Sequence, residues 1–221
     1  MSIGEGRRSS WVNGERQALA ETLRTSDPDG PTLDEGWTVR HLLAHLVQRE
    51  QDPLGATKDL LQRRKPGEEK ELGRLVDGAR TPAGYAALVD RFLAGPPRWS
   101  PFYWVGDRTN LLEYVVHHED VRRGSLGDVA PRSLPDGALK ALWAQLPFLG
   151  RLKFRAAPVG VTLEWPGHQV QVVKRAEPGV VLRGQPVELA LYVSGRRAAA
   201  EVGVFGDPAA VTQFEDWVAT S

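Results

Sequence analysis

Near residue 156 the spacing of apolar residues in this 221-residue chain changes, and that change limits the folds open to it. Before it, apolar positions recur three and four residues apart, the repeat of an amphipathic helix. After it they alternate with polar ones, the repeat of a half-buried strand. The expected class is therefore α+β, with a four-helix bundle over residues 1–155 and a small α+β domain over 156–221.

Local signals place the elements. ERQALAETLR (15–24) and TVRHLLAHLVQRE (38–50) read as helices, the second capped by Thr38 and stopped by Gln51-Asp52-Pro53. Residues 54–80 are charged and weakly periodic, which predicts short helical pieces. Thr81-Pro82 opens a third long helix that Gly95-Pro96-Pro97 closes. RWSPFYWV (98–105) is expected to be a packed loop, with Gly106–Asn110 as the polar start of a helix over 111–123 that Gly124 ends. One more helix is expected from Pro135 to about Arg151. In the second region VGVTLEW and HQVQVVK flank Pro166-Gly167 as a hairpin. Strands at 179–183 and 200–206 and helices at 185–194 and 208–218 complete it.

Composition narrows the chemistry. Twenty-eight Lys+Arg balance 28 Asp+Glu, so the electrostatic footprint of a nucleic-acid or membrane-surface binder is missing. No run of about 18 apolar residues is present, and Met1–Ser10 lacks the apolar stretch of a secretory leader. A cytoplasmic protein is expected. There is no cysteine, which excludes disulfides, Cys-ligated zinc, iron–sulfur clusters and a protein thiol nucleophile. Any metal must be held by His, Asp or Glu. The five histidines are His41, His45, His117, His118 and His168, four of them in two tight pairs.

Glu113-Tyr-Val-Val-His117 is the strongest local feature. Residues four apart on a helix share a face, so both side chains can reach one ion. Asp120 continues that stripe one turn on, where its carboxylate can accept the other N–H of the His117 ring. A carboxylate and an imidazole suit zinc or a similar divalent ion. The third ligand should come from a neighbouring helix, and His45, flanked by Leu42 and Leu46, is the candidate. The alternative is an ordinary surface ion pair between Glu113 and His117. His41 either joins the site or is a solvated neighbour. His118 points about 100° away from His117 and is read as a packing residue; His168 is read as an exposed strand-start residue.

No GxGxxG, GxxxxGK[ST] or GxSxG motif occurs. Arg63-Arg64-Lys65 and Arg122-Arg123 read as solvated basic runs. Arg49 and Glu50 either contact a substrate or bond a neighbouring helix. Trp99, Phe102, Tyr103 and Trp104 either line a pocket mouth or pack in the core.

EGWTVRHLLAHLVQRE (35–50) followed by NLLEYVVHHEDVRR (110–123) resembles the DinB-like metalloproteins of the mycothiol-dependent maleylpyruvate isomerase type. PTLDEGW, HLVQRE and EYVVHHEDVRR are similar to an actinobacterial subgroup described as metal-binding proteins. LRGQPVELALYVSGRR and VFGD resemble that family's C-terminal, sterol-carrier-like domain. The resemblance implies a three-ligand divalent site on His45, Glu113 and His117, most simply for Zn2+, although the donor set does not separate zinc from nickel, iron or manganese. Many members carry an acid where this chain has His41. Mycothiol as cosubstrate is implied, since a metal stabilises the thiolate and this chain has no thiol of its own. Arg49 and Arg122 are then candidates for binding the substrate's carboxylate or sugar groups.

The expected function is a divalent-metal-dependent S-transferase or thiol-assisted isomerase. Its partners would be a small-molecule thiol and an electrophilic substrate, with no nucleic acid and no membrane, in a monomer or homodimer. Two alternatives use the same residues: a hydrolase with metal-bound water, and a non-catalytic, metal-stabilised ligand-binding protein.

Overall fold

The computed structural model describes residues 10–62, 69–125 and 129–220, and the Arg63-Arg64-Lys65 run lies outside them. Two compact units divide between Ala130 and Pro131. The first holds six helices among its described residues: α1 (Ser10–Thr25), α2 (Val39–Gln51), α3 (Pro53–Gln62), α4 (Lys70–Gly78), α5 (Pro82–Ala94) and α6 (Pro101–Ser125). Helices α1, α2, α5 and α6 pack as a four-helix bundle, with α3 and α4 against α2. Leu19, Leu42, Leu43, Leu46, Phe92, Leu111 and Tyr114 fill its core, all essentially inaccessible to solvent. None of the described helices is long and apolar enough to cross a membrane.

A buried polar contact ties the four bundle helices together. Arg16 on α1 donates to both carboxylate oxygens of Glu50 on α2, at 2.8 and 2.9 Å. The same guanidinium donates to the Phe92 carbonyl on α5, and Tyr114 on α6 donates its hydroxyl to Glu50. It also lies 4.9 Å from the Phe92 ring centroid and 4.7 Å from that of Tyr114. Glu50 thus bonds neighbouring helices instead of a substrate. A second buried carboxylate, Asp59 on α3, accepts from the Gln48 amide at 2.7 Å and from the Glu71 and Leu72 N–H groups at 3.1 and 2.9 Å, capping α4 from outside.

Three expectations change. Residues 101–105 are helical, not a loop, so α6 begins about ten residues earlier than the polar run at 106–110 suggests. Ser100-Pro101 starts it: the Ser100 hydroxyl accepts the Phe102 N–H at 3.3 Å, and proline suits the first helical position. The helix expected over 135–151 is two, α7 (Asp136–Trp143) and α8 (Leu146–Lys153), because Pro147 has no N–H to continue the ladder and restricts the residue before it. Both belong to the second unit, since α8 packs on the second strand of its sheet and on the helix between the third and fourth strands, so the division falls at 130/131 rather than near 155.

The second unit is a four-stranded sheet of order β2-β1-β3-β4, built from β1 (Gly160–Trp165), β2 (Gln169–Lys174), β3 (Gly179–Arg183) and β4 (Gly203–Gly206). The β1–β2 hairpin turns at Gly167, whose φ of 74° favours glycine. Strand β3 runs parallel to β1, and β4 runs antiparallel to β3. Val161, Leu163, Trp165, Val180 and Leu182 point to the buried face. The α9 helix (Pro186–Val193) packs on α7 and α8, and α10 (Pro208–Thr220) on β3 and β4.

Candidate metal centre

Helix α2 presents His45, and α6 presents Glu113 and His117 one turn apart. Their ligand atoms lie within 4.8 Å of one another. Glu113 Oε1 sits between the two rings, 3.3 Å from His45 Nε2 and 3.2 Å from His117 Nε2. A tetrahedral site with bonds of about 2.1 Å needs its donors roughly 3.4 Å apart, so these spacings and this donor set fit a divalent ion. The His45 and Glu113 side chains are 28% and 29% exposed, against 9% for His117 and 0% for Asp120. The cluster is therefore open on the side of His45 and Glu113 and closed behind His117.

Behind it, Asp120 Oδ2 lies 2.8 Å from His117 Nδ1 and orients the ring so that Nε2 faces Glu113. Asp34, from the 26–38 connection, approaches the same pair, its carboxylate grouped within 4.8 Å of His117 and Asp120. That connection is laid directly on α6. Leu33 N–H donates to the Asp120 carbonyl at 3.1 Å, and a Cβ at Gly124 would stand only 2.4 Å from Thr32 Cα. At its far end Trp37 packs on His45, ring centroids 4.9 Å apart.

Burial alone would lower the basicity of the His117 ring, but its bonds to Asp120 and Glu113 outweigh that and raise its pKa to about 9. Burial would raise the Glu113 carboxyl, yet hydrogen bonds from His117 and His45 hold it well below the usual carboxylate range. His45 is lowered, chiefly by burial.

The remaining candidates are not all drawn to this point. Arg49 is: its Nε lies 3.7 Å from Glu113 Oε1, its Nη1 donates to Asn110 Oδ1 at 2.8 Å, and its guanidinium stacks 4.2 Å over Phe102. Arg122 is not. It stands about half a turn round α6 from Glu113 and pairs with Glu119 at 2.9 Å. His41 turns to the start of α2, its Nδ1 2.8 Å from Thr38 Oγ1, as part of a capping box. His118 faces α1, bridging Glu15 and Thr22 at 2.8 Å each. His168 stacks on Trp165 in the hairpin of the second unit. Trp99 and Trp104 are mostly exposed rather than core.

Sequence reasoning passed over Trp37, Asp34 and Asn110. Trp37 occupies the position before a helix cap where an apolar residue commonly packs back on the first turns. Asn110 lies three residues before Glu113, hence on its face of the helix. Asp34 has no local signal, since only the path of the 26–38 connection brings it to α6.

A cleft of about 540 Å³ adjoins the open side of the cluster, walled by His45 and Arg49 together with Trp37, Ala56, Leu72 and Phe102.

Residues 14–122 match the family described as the mycothiol maleylpyruvate isomerase N-terminal domain. A crystal structure of a histidine-to-alanine mutant of the mycothiol-dependent maleylpyruvate isomerase superposes with a TM-score of 0.60, at 18% identity over 91% of this chain and 93% of that one. At that identity the likeness establishes a shared fold. No match was found among curated proteins.

Proposed function

From residue 14 to residue 122 the chain belongs to the mycothiol maleylpyruvate isomerase N-terminal domain family, and from that premise we propose that it is a divalent-metal-dependent enzyme with a small-molecule thiol, mycothiol, as cosubstrate. The reaction is S-transfer to, or thiol-assisted isomerisation of, an electrophilic substrate. The observation that carries the reading is the placement of Glu113 Oε1 3.3 and 3.2 Å from the Nε2 atoms of two histidines on different helices, open to a cleft on one side.

His45, Glu113 and His117 are the residues that would hold the ion. A bound divalent ion supplies positive charge that lowers the pKa of an incoming thiol and polarises an acceptor oxygen. The chain's own groups do the rest. Asp120 accepts a 2.8 Å hydrogen bond from the His117 Nδ1–H and fixes the ring's orientation. Trp37 packs against the His45 ring from the other side, centroids 4.9 Å apart. Arg49 is held by Asn110 and Phe102 with its Nε toward Glu113, where its charge helps keep that carboxyl ionised. The chain has no cysteine, so the nucleophilic sulfur must come from the cosubstrate.

Steady-state kinetics test this reading. Turnover that saturates in mycothiol, disappears after chelation and returns with zinc is the expected result. Zinc-loaded protein that shows no thiol-dependent turnover with alkyl, aryl or unsaturated-acid electrophiles would contradict it.

A further inference from the structure

The cleft beside the cluster has a chemical character of its own. Trp37, Pro53, Ala56, Leu72 and Phe102 supply its apolar wall. On α3 the stripe Leu54, Thr57 and Leu61, spaced three and four residues apart, carries this character outward. Thr57 lines the cleft, while Leu54 and Leu61 are 75% and 77% exposed. Exposed leucines on the same helix stripe as a cleft wall mark an apolar approach to it.

The charges tell the same story. Besides His45, Arg49 is the basic residue among the described lining residues, and its guanidinium is engaged by Asn110, Glu113 and the Phe102 face. Asp59 is engaged by Gln48 and the start of α4. Glu69 adds a carboxylate whose Oε2 has no hydrogen-bond partner among the described residues. A small dianion entering here would meet one guanidinium already neutralised, two carboxylates and an aromatic wall, so its desolvation would go uncompensated. An uncharged ring, by contrast, gains burial against Trp37 and Phe102.

We propose that this cleft seats an uncharged aromatic or similarly apolar electrophile, and that Phe102 and Ala56 set its affinity. Calling that ligand the acceptor rests on the thiol-dependent reading above; the seat itself does not. With an aryl halide the step is balanced: the thiol sulfur bonds to the ring carbon, the carbon–halogen bond breaks with its electron pair leaving on the halide, and the thiol proton goes to solvent.

Calorimetric titration with 1,3-dinitrobenzene, an uncharged aryl compound without a leaving group, tests the seat. Maleate is the small dicarboxylate comparison. Wild type, Phe102→Ala and Ala56→Phe are measured zinc-loaded and zinc-free, with circular dichroism verifying each fold. Dinitrobenzene should bind wild type in both states, roughly tenfold more weakly after Phe102→Ala, and more weakly also after Ala56→Phe, which narrows the cleft. Maleate binding should need zinc. Absence of dinitrobenzene binding to wild type, unchanged affinity in both variants, or tighter binding of maleate than of dinitrobenzene to zinc-free protein would each overturn the assignment. Protein that takes up no zinc yet binds dinitrobenzene in a Phe102-dependent manner supports the seat while refuting the metal reading.

Discussion

Replacing Glu50 with alanine should loosen the helical unit more than an ordinary core truncation of similar size. The Glu50 side chain is fully buried and that of Arg16 is 4% exposed, so neither charge is relieved by water. Alanine would leave the Arg16 cation without its two short carboxylate contacts and the Tyr114 hydroxyl without its acceptor. Removing one partner of such a pair typically costs about 3–5 kcal/mol. At about 4 °C per kcal/mol for a domain of this size, the unfolding midpoint should fall by about 10–20 °C. Far-UV circular dichroism at 222 nm follows the transition. The triple variant Arg16→Met, Glu50→Leu, Tyr114→Phe removes every polar side chain of the contact at similar volume and should recover most of the loss. A fall of less than about 3 °C for Glu50→Ala, near 1 kcal/mol, would refute the argument. So would a triple variant no more stable than the single one. Because the contact joins α2 to α6, zinc affinity at His45, Glu113 and His117 should weaken in parallel.

Further outcomes follow from the same geometry. Asp120→Asn keeps the shape but weakens the hold on the His117 ring, and zinc affinity by competitive chelator titration should drop about 10–100-fold with little change in fold. In metal-free protein the raised His117 pKa, about 9 against an unfolded 6.5, contributes stability that is fully present below pH 6.5 and lost as pH rises through 9. Urea midpoints across that range check the sign, and zinc uptake at pH 7 should release about one proton per ion by calorimetry in buffers of different ionisation enthalpy. Gly124→Ala must push Thr32 away from a Cβ 2.4 Å distant and should destabilise by about 1–3 kcal/mol, whereas Gly73→Ala, in α4 with nothing within 4 Å, should stabilise by about 0.5–1 kcal/mol.

Much of the bundle was legible because its signals are local. The i, i+3, i+4 leucines of α1 and α2 and the Thr81-Pro82 start of α5 each specify a helix without reference to the rest of the chain. The same logic brought Glu113 and His117 onto one face and turned His118 away from it. What escaped depends on competing local signals or on distant partners. Ser100-Pro101 starts a helix as effectively as Thr81-Pro82, but the aromatic run after it suggested a loop. Pro147 interrupts a stretch whose leucines otherwise keep helical spacing. Arg122 sits in a suggestive motif and is turned away by the pitch of α6, pairing with Glu119. His41 resembles a ligand by spacing yet is taken by Thr38. Asp34 reaches the site only because the 26–38 connection lies on α6 at Gly124, a contact between residues far apart in sequence.

The most direct test of the account is zinc stoichiometry and affinity of purified protein beside His117→Ala, by plasma mass spectrometry and chelator competition. The geometry predicts about one ion per chain, bound with micromolar affinity or tighter, and its loss in a variant whose circular dichroism is unchanged. Protein that carries no divalent ion and takes none up from added zinc, or an ion equally retained by His117→Ala, would contradict the assignment of His45, Glu113 and His117 as the centre.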